Sequence, residues 1–430
     1  MIRLTIPKVL AVLLCAALGG YVFLFGPRLP VSAARSGNPA HSLAPRSTLR
    51  PVVHAVFPPA GKKFIGIMNG HGAYNFSALD TFTKAVGQGP QVYEFPQGWA
   101  VNQFNRGVIE AVARRGMLPM ISWEPWNYLL EPKADALRGY QPAYRLSNII
   151  DGEYDSYIRS WAEGVKSLGF TIAIRFAHEM NGYWYPWSIF ANGNKVSQYV
   201  RAWRHVHNIF TEVGATNVIW VWSPNIIWNS FTDLAKLYPG NAYVDWIGLS
   251  GYYGTPGMGN YEDFDSIFDR TIADLRTFTD KPLVITETGA TNVSGLMAQW
   301  VTSMFEELPA HTDIIGVIWY EDSDVIDWRV TDVPAAAAAF RRGVANPIYH
   351  FAWKPGMVPL LDVPLPAREP VGPDAGPSPP APTAGTTTSP APGRTSRPSP
   401  RPSVSPSPSP RPSPSPSPSP SPSSHSPARA

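Results

Sequence analysis

Between residues 61 and 355 short apolar runs recur with gaps of similar length: FIGIMNG (64–70), QVYEF (91–95), LPMISWEPW (118–126), TIAIRFAHE (171–179), NVIWVWSPN (217–225), VDWIGLSGYY (244–253), KPLVITETGA (281–290) and IIGVIWYED (314–322). Each is rich in β-branched and aromatic residues and bounded by Gly, Pro, Asn or Asp, which predicts strands. Between most of them the apolar positions follow a helical period. In 154–168, Tyr154, Tyr157, Ile158, Trp161, Val165 and Leu168 share one face. Asp151 stands ahead as a candidate cap and Gly169 follows the end. The stretches 198–213 and 266–278 behave alike. Eight strands alternating with helices over 295 residues predict an α/β fold, a (β/α)8 TIM barrel. A doubly wound sheet would want a Gly-rich phosphate loop after the first strand, and none follows FIGIMNG.

The flanks have another pattern. MIRLTIPK followed by 18 apolar residues (9–26) reads as a basic n-region ahead of a hydrophobic segment. Residues 1–33 are therefore expected to be a signal peptide or an N-terminal membrane anchor, since 18 residues is the short edge of a span. Val31-Ser32-Ala33 offers small residues for cleavage. A linker is expected at 34–60, the catalytic domain at 61–355, and a disordered Pro/Ser-rich tail at 356–430 that cannot bury a core. The expected location is extracellular or at the cell surface.

Composition narrows the function. A net charge of +3 in 430 residues is too small to argue for nucleic acid. From 374 on, the tail holds Arg394, Arg397, Arg401, Arg411 and Arg429 against Asp374, so the middle is near neutral and suits an uncharged substrate. The single cysteine, Cys15, excludes a disulfide framework and a cysteine zinc site. It is a poor lipidation candidate behind Leu14. His178-Glu179 invites a zincin reading, but position 182 is glycine where His-Glu-x-x-His needs histidine. His205 and His207, two apart on a helix, point apart. No metal and no cofactor are expected.

Active sites of such barrels lie at the C-terminal strand ends. Those ends carry Asn69 and His71, Glu94, Trp123 and Glu124, His178 and Glu179, Ser223 and Asn225, Tyr252, Glu287, then Trp319 and Glu321. Carboxylates, amides and aromatics on one rim suit glycosidic hydrolysis, which needs an acid, a second carboxylate and flat rings for sugars. Along strand 4, Ala173, Arg175, Ala177 and Glu179 alternate onto one face, predicted to be the interior. Glu287 ends KPLVITE, 108 residues after Glu179, which places the pair on strands 4 and 7. Glu179 must stay protonated near neutral pH, through a neighbouring carboxylate and aromatic walls. Glu287 must stay ionised, helped by Tyr252 and Arg175. Trp184, Trp187, Trp319 and Trp123 offer stacking faces, whereas Trp161, Trp203 and Trp300, at helical positions, belong to packing. Glu124 is either substrate-binding or structural, and Glu321 and Asp322 suit loop hydrogen bonds.

RFAHEMNGYWYPW (175–187), ITETGA (285–290) and GVIWYED (316–322) make the chain resemble glycoside hydrolase family 26 over most of 61–330. That resemblance implies a retaining (β/α)8 endo-glycanase, most often a β-1,4-mannanase, with mixed-linkage β-glucanases and β-1,3-xylanases in the same family. It implies Glu179 as acid/base and Glu287 as nucleophile. His178 takes the place of an asparagine usual in the wider clan. Arg175, Trp184, Tyr252 and Trp319 match positions that hold the nucleophile or line the sugar site. Many of the mannanases read Arg-Pro-x-His-Glu with a tryptophan pair further along, whereas here Arg175-Phe176-Ala177 and Tyr185-Pro186-Trp187 stand. The polymer is thus open between β-1,4-mannan, taken first, and mixed-linkage glucan. A non-catalytic carbohydrate-binding barrel is the competing class. The expected partner is a β-linked polysaccharide met by a monomer, with membrane contact only through the N-terminal segment.

Overall fold

The computed structural model describes residues 57–353, apart from 71, 131–138, 228–231, 256–257, 259, 293–294 and 324–325. The segment expected to be a signal or anchor, most of the 34–60 linker, the 356–430 tail and His71 lie outside the described residues. No helix among the described residues is long and apolar enough to cross a membrane.

Eight parallel strands close in sequence order: β1 (Phe64–Met68), β2 (Val92–Gly98), β3 (Leu118–Glu124), β4 (Ile172–Phe176), β5 (Val218–Trp222), β6 (Trp246–Tyr253), β7 (Leu283–Ala290) and β8 (Ile314–Tyr320), with β8 pairing back onto β1. All eight predicted runs form strands. The helices are α1 (Ser77–Val86), α2 (Arg106–Arg114), α3 (Leu146–Ile150), α4 (Asp155–Leu168), α5 (Val196–Val213), α6 (Leu234–Leu237), α7 (Phe264–Leu275), α8 (Met297–Glu307) and α9 (Pro334–Val344). Gly169 ends α4 in the left-handed conformation, φ 74°, as its position predicted. Asp151 does not cap α4; it closes the short helix α3, and Tyr154 precedes α4.

The interior is packed, not hollow. Phe64 stacks on Trp246 with centroids 5.8 Å apart. Gly316 is required beside them, because a Cβ there would meet the Phe64 ring at 2.4 Å. Outside the strands, aromatic residues weld barrel to helices. Trp123 lies among Trp99, Tyr157, Trp161 (α4), Phe176 and Phe210 (α5), with centroids 5.0–6.0 Å apart. Trp319 packs on Trp300 of α8 and Phe340 of α9. Both are buried, and so is Trp187.

These positions correct the expectation that Trp123, Trp319 and Trp187 present faces to sugar. Register explains the first. Ser122 pairs with Arg175 and Trp123 with Phe176, so Trp123 shares the outward phase of Phe176. Trp161, Trp203 and Trp300 are packing residues, as their helical positions predicted. Trp123→Ala should therefore cost ~3–5 kcal/mol of stability, as large-to-small changes in a core do. Urea unfolding checks this, and the folded fraction of the variant should keep the wild-type KM.

Candidate active site

The chain leaves β4 along an irregular path. Ala177 and Glu179 both take left-handed backbone angles, φ 45° and 52°, a costly conformation for residues with a Cβ. The surroundings hold it there. Ala177 N–H donates to the Trp123 carbonyl at 3.2 Å and Glu179 N–H to the Ser223 carbonyl at 2.7 Å. The Ala177 carbonyl accepts from Tyr199 Oη at 3.1 Å, and the His178 carbonyl from Trp187 Nε1 at 2.6 Å. Trp187 thus contributes by fixing the backbone beneath the site. Its ring also stacks on Tyr185, 4.4 Å and 11° apart, and Tyr185 Oη lies 3.2 Å from His178 Nε2.

The twist turns the Glu179 carboxyl towards two donors. Trp184 Nε1 donates to Oε2 at 2.7 Å and Asn225 Nδ2 to Oε1 at 3.1 Å. Trp184 can lie there because position 182 is glycine: a Cβ would strike its indole at 2.6 Å. Asn225 is clamped in turn, its N–H donating to Asn181 Oδ1 at 2.9 Å and its carbonyl accepting from Asn181 Nδ2 at 2.8 Å. Burial, and then the charge of Glu287, push the Glu179 carboxyl above the usual carboxylate range.

Glu287 arrives differently. The register between β6 and β7 jumps from Leu249↔Ile285 to Ser250↔Glu287, leaving Thr286 as an extra residue. The bulge lets two consecutive side chains face inward: Thr286 Oγ1 meets Ser223 Oγ at 2.8 Å while Glu287 reaches the mouth. There Arg175 Nη1 donates to Glu287 Oε2 at 2.5 Å, and Tyr252 Oη donates to Oε1. A guanidinium and a phenol thus donate to opposite oxygens of the one carboxyl. Trp328 lines the Tyr252 ring at 4.6 Å, with Tyr320 edge-on at 6.3 Å.

Arg175 is fully buried and lies at the centre of the network. Its Nε donates to Ser223 Oγ at 3.0 Å and its Nη2 to Ser250 Oγ at 2.6 Å; Nη1 also reaches Glu94 Oε1 at 3.2 Å and Ser122 Oγ at 3.3 Å. Burial works against its charge, but Glu287 and then Glu94 outweigh this.

Of the residues singled out in the sequence, Glu179, Glu287, Arg175, His178, Trp184, Tyr252 and Asn225 meet at this mouth. Glu124 joins its edge, accepting from Trp126 Nε1 at 2.7 Å, with burial raising its carboxyl to about 8. Burial, with Arg175 in addition, holds His178 well below its ordinary value, so it is neutral. Glu321 is a loop anchor, accepting from Val330 N–H at 3.0 Å and from Thr331 N–H and Oγ1 at 3.2 and 2.5 Å. Asp322 does the same for Gly70 and Ser323. Not anticipated were Tyr185, Trp126, Tyr320 and Trp328, and the hydroxyls of Ser122 and Ser250. The inward phase of β3 carries the signal for Ser122, two residues before Glu124. The others needed the loops' paths.

A buried carboxyl raised above the carboxylate range and a second one held by a guanidinium and a phenol, together on the C-terminal rim of a (β/α)8 barrel, form the kind of pair that two-carboxylate glycoside hydrolysis requires. The sequence model of Glycosyl hydrolase family 26 matches residues 142–327, which hold Arg175, His178, Glu179, Trp184, Asn225, Tyr252 and Glu287 but not Glu94, Ser122, Glu124, Trp126 or Trp328. Endoglucanase H of Acetivibrio thermocellus is 31% identical over 290 residues, 64% of this chain and 30% of that protein, so the match spans under a third of the relative's length. A mannan endo-1,4-beta-mannosidase of Bacillus subtilis is 23% identical over 307 residues, 66% of this chain and 76% of its own. A solved β-mannanase structure from Bacteroides ovatus aligns with a TM-score of 0.53 at 17% identity, covering 71% of this chain and 95% of that one, a likeness of fold. Over residues 142–327, then, the chain is similar to glycosyl hydrolase family 26.

Proposed function

We propose that the protein is an exported, monomeric endo-β-glycanase that cleaves β-1,4-mannan with retention, Glu179 serving as acid/base and Glu287 as nucleophile. The observation that carries this reading is the opposite electrostatic setting of the two carboxyls. Glu179 is buried and raised, with Glu287 adding to the shift. Glu287 is held by two donors.

In the first step a Glu287 oxygen attacks the anomeric carbon while Glu179 gives its proton to the departing glycosidic oxygen. In the second step Glu179, now a carboxylate, takes a proton from water as that water attacks the same carbon and releases Glu287. Trp184 stacks a sugar beside the cut, and neutral His178 offers a hydrogen bond to a sugar hydroxyl.

A second polymer has its own support. Endoglucanase H, a glucan-cleaving enzyme by name, is 31% identical, against 23% for the Bacillus subtilis mannanase. β-Glucan is therefore the alternative substrate. Release of reducing ends by the full chain from mannan and from mixed-linkage glucan decides between them. Binding to a polymer without release would instead support a carbohydrate-binding barrel.

The donors to Glu179 give a pH prediction. Asn225 Nδ2 stabilises the carboxylate form. Its removal in Asn225→Ala should raise the Glu179 pKa further. Since activity is lost as Glu179 deprotonates, the basic limb of kcat/KM should move to higher pH in the variant. An unmoved or lowered limb would detach Asn225 from the titrating acid.

A further inference from the structure

One guanidinium nitrogen serves two carboxylates. Arg175 Nη1 lies 2.5 Å from Glu287 Oε2 and 3.2 Å from Glu94 Oε1. Glu94 is completely buried, and its Oε1 also accepts from Ser122 Oγ at 2.6 Å. Its Oε2 is buried without a hydrogen-bond partner. A carboxylate so enclosed cannot touch a sugar, so its effect must pass through Arg175.

The two-glutamate reading above, on which this inference rests, gives the pairing a use. In the first step the Glu287 oxygen forms a bond to the anomeric carbon as the glycosidic C–O bond breaks. The leaving oxygen keeps that electron pair and takes the Glu179 proton. Glu287 becomes a neutral ester, and the charge now sits on Glu179. Arg175, a buried cation, would then have lost its nearest anion, and an uncompensated buried charge is costly. We propose that Glu94 is a positioning residue that keeps Arg175 paired and in place while Glu287 is esterified, stabilising the glycosyl-enzyme relative to the free enzyme. Burial raises the Glu94 carboxyl to about 7, with Arg175 lowering it and Glu287 raising it. Esterification of Glu287 removes that upward push, so Glu94 favours its ionised form when Arg175 needs it.

The test measures both directions of ester formation in the full chain. A 2-deoxy-2-fluoro-β-glycosyl fluoride, in the manno or gluco series chosen by the polymer assay, traps the ester on the wild type; trapping and reactivation rates are then compared with Glu94→Gln. Trapping should slow and reactivation should speed up, each by at least about tenfold, since one partner of a buried pair has been removed. Ser122→Ala, which keeps every charge but loosens Glu94, should shift both rates in the same senses by less. It carries the comparison alone if Glu94→Gln does not fold. Rates equal to wild type, or trapping and reactivation slowed together as general misplacement would do, overturn the proposal. A wild type that the reagent does not trap would instead count against the two-glutamate reading itself.

Discussion

Glu287→Ala is expected to lower kcat on the polymer by ~10⁴–10⁶-fold, the scale seen when a nucleophile acting within a catalytic unit is removed. In the proposed mechanism the loss is nearly complete because Glu287 has two jobs: forming the ester, and offering the carboxyl on which Arg175 and Tyr252 converge. Sodium azide should partly restore turnover of an aryl glycoside with a good leaving group. The small anion would enter the vacated space and attack from the nucleophile's side. The product would then be an α-glycosyl azide, because one displacement inverts where two retain. Kinetics with azide and identification of the product check this together. A variant that keeps more than a few per cent of wild-type activity would remove Glu287 from the role of nucleophile.

Glu179→Ala should lose ~10²–10⁴-fold on the polymer, the range general acid–base catalysis supplies. The loss should depend on the leaving group. A 2,4-dinitrophenolate needs no proton, so ester formation from such a glycoside should be nearly unaffected, and hydrolysis of the ester becomes the slow step. The pH dependence supplies the sign. In the proposed mechanism Glu179 acts protonated, and its pKa is raised by burial and by Glu287. Wild-type kcat/KM should therefore fall as pH rises through that raised value, a limb displaced upwards from the ordinary carboxylate range. In Glu179→Ala the limb should vanish. The variant is needed because Glu94, at about 7, and Glu124, at about 8, are buried in the same field. Neighbouring groups titrate as a coupled set, so the wild-type profile alone would not assign the limb to one residue.

The barrel was legible because every strand lies in its own apolar run, and runs can be counted without knowing which touch. Strand 4 was legible in finer detail. Its alternation placed Arg175 inside and Phe176 outside, and that is where they are. Past Phe176 the alternation stops being a guide, since the left-handed angles at Ala177 and Glu179 belong to no strand. Glu179 reached the mouth because motif and twist agree.

Trp123 and Trp319 show the opposite case. Being at a strand end says nothing about which side a residue faces, and only the register with the next strand settles it. The phase that puts Arg175 inward puts Trp123 outward, once Ser122 is known to pair with Arg175. Glu287 is at the mouth only because Thr286 is an extra residue, and nothing in KPLVITE marks a bulge. The bond between Arg175 and Glu94 joins residues 81 apart in sequence, and it follows from barrel closure, not from any local pattern.

The central claim is that Glu179 and Glu287 cleave a β-linked polysaccharide in two displacements. It is tested most directly by proton NMR of the first reducing ends released by the full chain, read before mutarotation sets in. The account predicts the β-anomer first, with the α-anomer growing in later. An α-anomer appearing first would mean a single displacement, and the nucleophile assigned to Glu287 would fall.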